Sequence, residues 1–545
     1  MNSFNYKKLL RSMLSLVMVL SLLLSCGLMF AGCNDTSDDN DDDSNNYEGL
    51  SDAEYMQKLE LNNLGGLVDA LTALYGAMLK TSPDSADYSA DIDMSVQLGD
   101  MILDMLEESF NASTGETMDF SFLSSVDLNV DLNVHNKLQQ MDMAIGLGGQ
   151  KILTASTVMS LTEFTTWVGF PELSNKYGEM NIWENMNINA GVSSDMMDMS
   201  YAFLGSLPSE KEFNTLIKKY IGVALKELKN VEKDEITLEL DGLEQKVNQL
   251  TVKINEADAL NMVKAILNTA KDDNDLEKII DKVNDGINNL MKQAAKENGG
   301  SWQNVDIYAM LKEAIEAALD ELDIPADELD TETYLELITY VDDSHNIIGR
   351  KFNLELMGVG EVYYYTVTEG KNFAFEAVVQ PASLRVVGSG TNKSNVIDAE
   401  YTFNLSGSDL LILSLKDWAD SDNSVKGTIK LEPTAELISL IFGSSNGLPF
   451  ADVALELKLD CKDSSGNVEL NLLANDAKVV GFSVAYKPGN GGTVKVPTNT
   501  FDFTNQSQLQ SWVEGMDFDA FFNNLRKAGV PGDLVDTLES YLFGG

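Results

Sequence analysis

Histidine, cysteine and basic residues are scarce in this 545-residue chain. It has two histidines and three cysteines, and its 38 Lys and Arg stand against 86 Asp and Glu, for a formal net charge of −48. Such a chain repels phosphate backbones and offers no dense cluster of Lys and Arg, so we set nucleic-acid binding aside. Cys461 is the single cysteine beyond residue 33, which excludes an internal disulfide framework.

The scarcity of histidine also limits the catalytic chemistry. Gly443-Ser-Ser-Asn-Gly447 matches the hydrolase pattern G-x-S-x-G, but that fold needs a histidine after the serine, and both histidines come earlier. His135 lies on the polar face of a predicted strand and His345 in a predicted turn, so we expect two separate solvated residues. No Cys or His cluster has the spacing of a zinc site. We therefore predict no catalytic, metal-binding or cofactor-binding residue.

Two other patterns are too weak to assign a site. Gly146-Leu-Gly-Gly-Gln-Lys151 lies between strand-like stretches and lacks the spacing of a phosphate-binding loop. A pair of carboxylates can hydrolyse glycosides, but a chain this acidic contains such pairs by chance. An unrecognised carbohydrate-active enzyme therefore stays an alternative without nominated residues.

Residues 1–32 have the pattern of a signal peptide. Lys7, Lys8 and Arg11 precede an uncharged stretch, Ser12–Gly32, that is dominated by Leu, Met, Val and Ser. Such a run is also long enough to span a bilayer as a permanent helix. Cleavage is favoured because small residues precede Cys33 and a strongly acidic segment follows it.

The stretch Phe30-Ala-Gly-Cys33 resembles the lipobox of bacterial lipoproteins, with Phe30 where Leu is usual. The resemblance implies that Cys33 becomes the first residue of the mature protein and carries a lipid anchor in the cell membrane, on its extracytoplasmic side. Leu23-Leu-Ser-Cys26 is a competing lipobox, but cleavage there leaves an apolar stub beside the lipid. We predict lipidation at Cys33.

An acidic segment, residues 33–52, follows the anchor. Its aspartates repel one another and its polar residues cannot bury a core, which predicts a flexible tether. A calcium-binding EF-hand loop is the alternative. Counted from Asp38, however, the position that needs glycine is Asp43, and the twelfth position is Gly49 instead of Glu.

Blocks of helix and blocks of strand follow one another in the body, which predicts an α+β fold with large antiparallel meanders packed against amphipathic helices. Ala53–Leu79 and Ser209–Leu228 have helical spacing, and Ser209 with Glu212 predicts a capping box. Three more helices are predicted between Ala257 and Leu322. Short helices are predicted at Thr434–Phe442, Asp517–Lys527 and Pro531–Leu542.

Strands are predicted from period-two alternation. Val126–Val134 alternates apolar and polar residues, and so does Val453–Cys461, which places the Cys461 thiol on an apolar strand face as a small hydrophobe. The short connections from Thr333 to Asp502 favour antiparallel pairing. We predict an α+β domain over 53–345, a β-rich domain over 346–505 and closing helices over 506–545.

This order of helices and meanders is similar to the LolA/LppX type of lipoprotein carrier. Phe170–Tyr177 and Met516–Pro531 also resemble stretches of an uncharacterised family of large anaerobe lipoproteins. In the carrier families, a half-barrel of antiparallel strands shelters lipid acyl chains. The resemblance implies a sheet and helices that form a groove for a lipid or another hydrophobic ligand, and it transfers no catalytic residue.

Three consecutive tyrosines suggest another kind of ligand. Strand alternation sends Tyr363 and Tyr365 to one sheet face and Tyr364 to the other. Exposed rings can stack on sugars, whereas half-buried rings complete a sheet, and strand propensity favours the second interpretation. A glycan-binding or adhesive surface module remains the alternative function.

The lipidation site is testable by substitution. Cys33→Ala should abolish labelling of the chain by a radioactive fatty acid and its partitioning into detergent, because the acylated residue is lost. Cys26→Ala is the matched control and should leave both intact. The opposite pattern would show that cleavage occurs at Cys26.

Overall fold

The computed structural model describes residues 47–79, 88–160, 163, 165–181, 203, 205–297, 300–329, 332–333, 335–354, 360–421, 424–442, 452–462, 464–489 and 491–543. The predicted signal peptide, Cys33, the competing Cys26 and the Gly443–Gly447 motif lie outside the described residues.

The helices of the described residues are α1 (Asp52–Leu79), α2 (Asp100–Thr114), α3 (Glu210–Leu225), α4 (Glu256–Lys271), α5 (Asn274–Glu297), α6 (Ile307–Glu321), α7 (Ala435–Phe442), α8 (Gln506–Glu514), α9 (Asp519–Lys527) and α10 (Gly532–Phe543). No helix in these ranges combines the length and apolar character that crossing a membrane requires.

The strands are β1 (Tyr88–Leu98), β2 (Ser125–His135), β3 (Leu138–Leu147), β4 (Gln150–Ser160), β5 (Thr165–Gly169), β6 (Tyr177–Asn181), β7 (Val231–Leu240), β8 (Leu243–Ile254), β9 (Leu335–Val341), β10 (Ile347–Leu354), β11 (Gly360–Glu369), β12 (Asn372–Val379), β13 (Leu384–Lys393), β14 (Val396–Leu405), β15 (Ser408–Ser421), β16 (Ser424–Pro433), β17 (Val453–Lys462), β18 (Ser465–Ala474), β19 (Ala477–Pro488) and β20 (Thr500–Asp502).

The predicted α+β class, with antiparallel meanders and helices, is confirmed. The described residues form two compact units: unit 1 lies within Met1–Ser82 and Ser194–Asp409, and unit 2 lies within Pro83–Ser193 and Leu410–Gly545. The predicted domain boundaries after residues 345 and 505 both fall inside a unit. The boundary after residue 345 does not separate two domains, because β9 before it pairs with β10 after it. The second lies between Phe501 and Trp512, whose ring centroids are 4.8 Å apart.

In unit 1, strands β7 to β14 pair antiparallel, each with the next in sequence. Helix α1 packs on one face of this sheet, where Met56 and Leu59 join Leu250 and Val252 in a buried core. These side chains are almost completely removed from water, which is the main source of stability for such a layer.

The capping box predicted for the helix after residue 208 is present in unit 1. Ser209 precedes α3 and its hydroxyl accepts a hydrogen bond from the Glu212 amide, while the Glu212 carboxylate accepts one from the Ser209 amide at 2.7 Å. Both donors would otherwise lack a partner within the helix.

A buried ion pair joins α1 to the sheet of unit 1. Arg350 of β10 donates from both terminal nitrogens to the two carboxylate oxygens of Glu60, each at 2.7 Å. The two side chains are only 5% and 6% exposed. Burial by itself lowers the pKa of Arg350, but the Glu60 carboxylate and then Tyr364 hold that pKa above its ordinary value. The Arg350 guanidinium is therefore charged, and its two hydrogen bonds to Glu60 hold α1 against β10.

The last residues of the predicted tether pack against unit 1. Tyr47 and Leu50 lie against its hydrophobic core. The Tyr47 ring also lies 4.3 Å from the ring of His345, whose Nδ1 is 2.8 Å from the Tyr55 hydroxyl. The prediction of a free segment over the whole of 33–52 is thus wrong for residues 47–52, because Tyr47 and Leu50 supply apolar surface that the acidic stretch before them lacks.

In unit 2, the pairing order is β15, β16, β17, β18, β19, β1, β2, β3, β4, β5, β6 and β20. Among these pairs β6 with β20 is parallel and the others are antiparallel. Strand β1 joins the two chain stretches of the unit because it pairs with β19 on one side and β2 on the other.

Helices α9 and α10 cover one face of the unit 2 sheet at β4, where Phe522, Leu525 and Val535 pack on Ile152. The two stretches quoted for their family resemblance meet nearby. The Asp517 amide donates to the Leu173 carbonyl at 2.9 Å.

The ion pair between Glu60 and Arg350 gives a stability prediction. Arg350→Met leaves the Glu60 carboxylate buried without its partner, so it should lower the free energy of unfolding by roughly 3–5 kcal/mol. Glu60→Leu combined with Arg350→Met should lose much less, because apolar replacement of a buried pair is often neutral. Denaturant unfolding of the variants measures both. Losses that simply add would contradict a coupled pair.

Candidate functional site

Six strands of unit 2 align apolar side chains in a row that runs across the sheet. The register places each residue directly opposite the next, so all of them share one face. This first row consists of Leu457, Leu470, Phe482, Val96, Val126 and Leu147, in the strand order β17, β18, β19, β1, β2 and β3.

A second row lies two residues further along each strand. Because side chains alternate between faces with a period of two, this row is on the same face as the first. It consists of Leu459, Val468, Val484, Met94, Leu128 and Ile145. We call these twelve residues the apolar surface.

Several side chains of the apolar surface are open to solvent. Val96 and Phe482 are each 43% exposed, Val126 is 42% exposed, Leu470 is 38% exposed and Ile145 is 51% exposed. Six strands at about 4.8 Å spacing give the surface a width of about 24 Å. Contiguous apolar surfaces that remain exposed to water are typical of binding sites.

The opposite face of the same strands carries the charged and polar residues. Lys458 lies opposite Glu469, and Ser95 opposite Asp127, to which its hydroxyl donates at 2.7 Å. Asn471 is buried on this face and donates to Glu456 at 3.2 Å. The charges of this sheet are therefore separated from the apolar surface by the thickness of the sheet.

Three aspartates form a row on this polar face. Asp91 lies directly opposite Asp131, which lies directly opposite Asp142. Like charges in this arrangement repel one another. Burial, and then the carboxylates of Asp91, Asp142 and Asp93, raise the pKa of Asp131, and Lys151 opposes this rise. The described residues contain no group of three or more His, Cys, Asp or Glu arranged to hold a metal ion.

Cys461 extends the apolar surface by one more position along β17, where Val425 and Gly466 lie opposite it. The thiol is half-buried, and its Sγ is 4.0 Å from the Asn467 carbonyl oxygen. Its position on an apolar strand face agrees with the sequence prediction. The face itself, however, is partly open instead of being a closed core.

The tyrosine strand lies in unit 1, and both Tyr363 and Tyr365 are half-buried. Their hydroxyls donate to the same Glu376 oxygen at 3.3 and 3.2 Å, and the Arg385 Nε donates to the other oxygen at 2.8 Å. Burial and then Glu376 raise the pKa of Tyr365 to about 12. The rings are engaged in a network within the sheet, which agrees with the interpretation that they complete it.

The two histidines have different surroundings. His135 ends β2 in unit 2 and its Nε2 is 2.7 Å from the Asn136 amide nitrogen. His345 is exposed in the turn of unit 1 but contacts two aromatic rings there. The Gly146–Lys151 stretch forms the connection between β3 and β4, with Gly148 and Gly149 at positive φ, as a hairpin turn requires.

Comparison with known proteins adds little to this geometry. No protein-family model matches the chain, and no curated protein matches it. A solved structure of intact Ap-TbpB, with N and C lobes, is 9% identical with a TM-score of 0.13, covering 74% of this chain and 76% of that chain. Transferrin Binding Protein B of Haemophilus parasuis Hp5, a double mutant, is 7% identical with a TM-score of 0.10, covering 75% and 76%. These scores are too low to support an argument about fold or function.

The aspartate row predicts a pH-dependent gain of stability. An acid whose pKa is raised by folding destabilises the folded state when ionised, so its penalty is absent at low pH and grows as the pH rises from about 3.9 through the raised value. Asp131→Asn removes this penalty and should raise the free energy of unfolding by roughly 0.2–1 kcal/mol at about pH 7 and by almost nothing at about pH 3.

Urea unfolding at both pH values measures the difference. Glu469→Gln is the control, because its carboxylate lies opposite Lys458 and its loss should not stabilise the fold. An equal gain for Asp131→Asn at both pH values would rule out repulsion as the cause.

Proposed function

We propose that this chain is a non-enzymatic bacterial lipoprotein, anchored through Cys33 on the extracytoplasmic side of the membrane, that binds a lipid or similar hydrophobic ligand on the apolar surface of unit 2. The observation that carries the proposal is the pair of in-register apolar rows, with side chains up to 51% exposed at Ile145. Burial of such side chains by a ligand is favourable at roughly 25 cal/mol per Å² of apolar area.

The size of the apolar surface suits an acyl chain. One lipid chain spans half of the roughly 30 Å hydrocarbon core of a bilayer, or about 15 Å. The apolar surface, with its width of about 24 Å, is wider than this. A chain lying across the strands would touch apolar side chains along its whole length. The LolA/LppX resemblance, which comes from the order of helices and strands, implies the same class of ligand.

The two alternative functions have less support. A glycan-binding site needs exposed aromatic rings, and Tyr363 and Tyr365, which suggested one, are half-buried with their hydroxyls bonded to Glu376. The exposed rings of Phe482 and Tyr486 lie instead on the apolar face of β19, among aliphatic side chains. A glycosidase would need two carboxylates facing each other across a cleft. The aspartate row instead lies along one sheet face, with neighbouring strands about 4.8 Å apart.

Substitution of the apolar surface tests the proposal. Leu470→Asn combined with Phe482→Asn replaces two directly opposed exposed side chains. The pair should weaken binding of pyrene-labelled phosphatidylcholine about tenfold or more, because loss of each buried side chain costs about 1.5–3 kcal/mol. The measurement is transfer of the labelled lipid from vesicles to the purified whole chain.

Ser483→Asn is the matched control, since Ser483 follows Phe482 on the same strand but faces the polar side. It should bind lipid as the unaltered chain does. Unchanged binding by the double variant, or an equal loss in the control, would contradict a site on the apolar surface.

A further inference from the structure

The apolar surface is bare of charge of either sign. Across β17, β18, β19, β1, β2 and β3, none of the twelve residues that form it is Asp, Glu, Lys, Arg or His. The positions next in register keep this pattern: Leu455 faces Leu472 and Val480 faces Leu98. A phosphate or carboxylate that brings no ammonium group of its own would lose its water on this surface without gaining a cation or a hydrogen-bond donor from a side chain, which is strongly unfavourable.

Several lysines of these and the adjoining strands are paired with carboxylates on the polar face. Lys458 lies 2.8 Å from Glu456, and Lys430 lies 2.9 Å from Glu432 and 3.0 Å from Asp476. An anionic ligand would have to compete with these carboxylates for the lysines. It would also have to approach them from the other side of the sheet.

The surrounding charge also opposes an anion. The aspartate row Asp91, Asp131 and Asp142 lies on the back of the same strands, and the chain as a whole has a formal net charge of −48. A field of this sign repels phosphates and carboxylates and attracts ammonium groups.

Building on the proposed function, we infer that the ligand is an acyl lipid whose polar end carries no net negative charge, of the uncharged or zwitterionic class, and that the apolar surface discriminates against anionic phospholipids and free fatty acids. Selectivity arises from the absence of a cation on the surface. A single lysine placed on the apolar surface should therefore weaken the selectivity against anionic lipids.

Four probes with the same oleoyl chain test this inference: dioleoylglycerol, dioleoylphosphatidylcholine, dioleoylphosphatidylglycerol and oleate. Competition of each against pyrene-labelled phosphatidylcholine on the purified whole chain gives their relative affinities. The first two should bind with dissociation constants at least about tenfold lower than those of the two anionic probes. The reason is that an unpaired charge on an apolar surface raises the dissociation constant by more than about tenfold.

Phe482→Lys adds a cation at a position that is 43% exposed, so it should tighten binding of oleate and dioleoylphosphatidylglycerol relative to dioleoylglycerol. Val96→Lys, on the neighbouring strand directly opposite, should do the same if Phe482→Lys does not fold. Ser483→Lys adds the same charge to the polar face and should leave the order of the four probes unchanged.

The possible outcomes separate the two proposals. The inference would be overturned, with lipid binding left in place, by anionic probes that bind the unaltered chain as tightly as the neutral ones. It would also be overturned if the folded lysine variants bound the anionic probes no more tightly, relative to dioleoylglycerol, than the unaltered chain does. Failure of all four probes to bind would instead overturn the proposed function.

Discussion

The register of the antiparallel strands in unit 2 is the constraint on which the candidate site depends. Side chains alternate between faces with a period of two, so a slip of one residue in any strand would move its apolar set to the polar side. In six adjoining strands the observed register keeps every apolar row aligned, from Leu457 in β17 to Leu147 in β3. The same alternation collects the carboxylates on the opposite face. There burial, and then repulsion from the neighbouring carboxylates, raise the pKa of Asp131.

Unit 1 uses its sheet differently. One face is closed by helix α1, and the close approach of the helix is fixed by the ion pair between Glu60 and Arg350 as well as by apolar packing around Met56. An ionic pair of this kind contributes little net stability relative to apolar residues of similar size, but it penalises any shift of the helix that separates the charges. Unit 1 therefore buries the apolar face of its sheet under a helix, whereas unit 2 leaves part of the apolar face of its sheet exposed.

Much of the local structure was predictable because it depends on short-range patterns. The alternation of Val126–Val134 predicts β2, and the capping box at Ser209 predicts the start of α3. Strand β1 was not predicted, although Ile92, Met94 and Val96 alternate with polar residues and carried the signal. Without β1, the sequence pattern predicts neither the link between β2 and β19 nor the apolar face that these strands share. Sequence patterns also do not predict the ion pair of Arg350 with Glu60 or the hydrogen bond between His345 and Tyr55, because each joins residues 290 positions apart.

Lipid binding by the apolar surface is tested most directly by photochemical crosslinking with a lipid that carries a photoreactive group on its acyl chain. Membranes that contain the whole chain would be exposed to a photoreactive phosphatidylcholine and irradiated, and the modified peptides would be mapped by mass spectrometry. Modification should concentrate in β18, β19, β1 and β2, at the residues of the apolar surface. Modification confined to unit 1 or to the polar face, or no modification at all, would contradict lipid binding there.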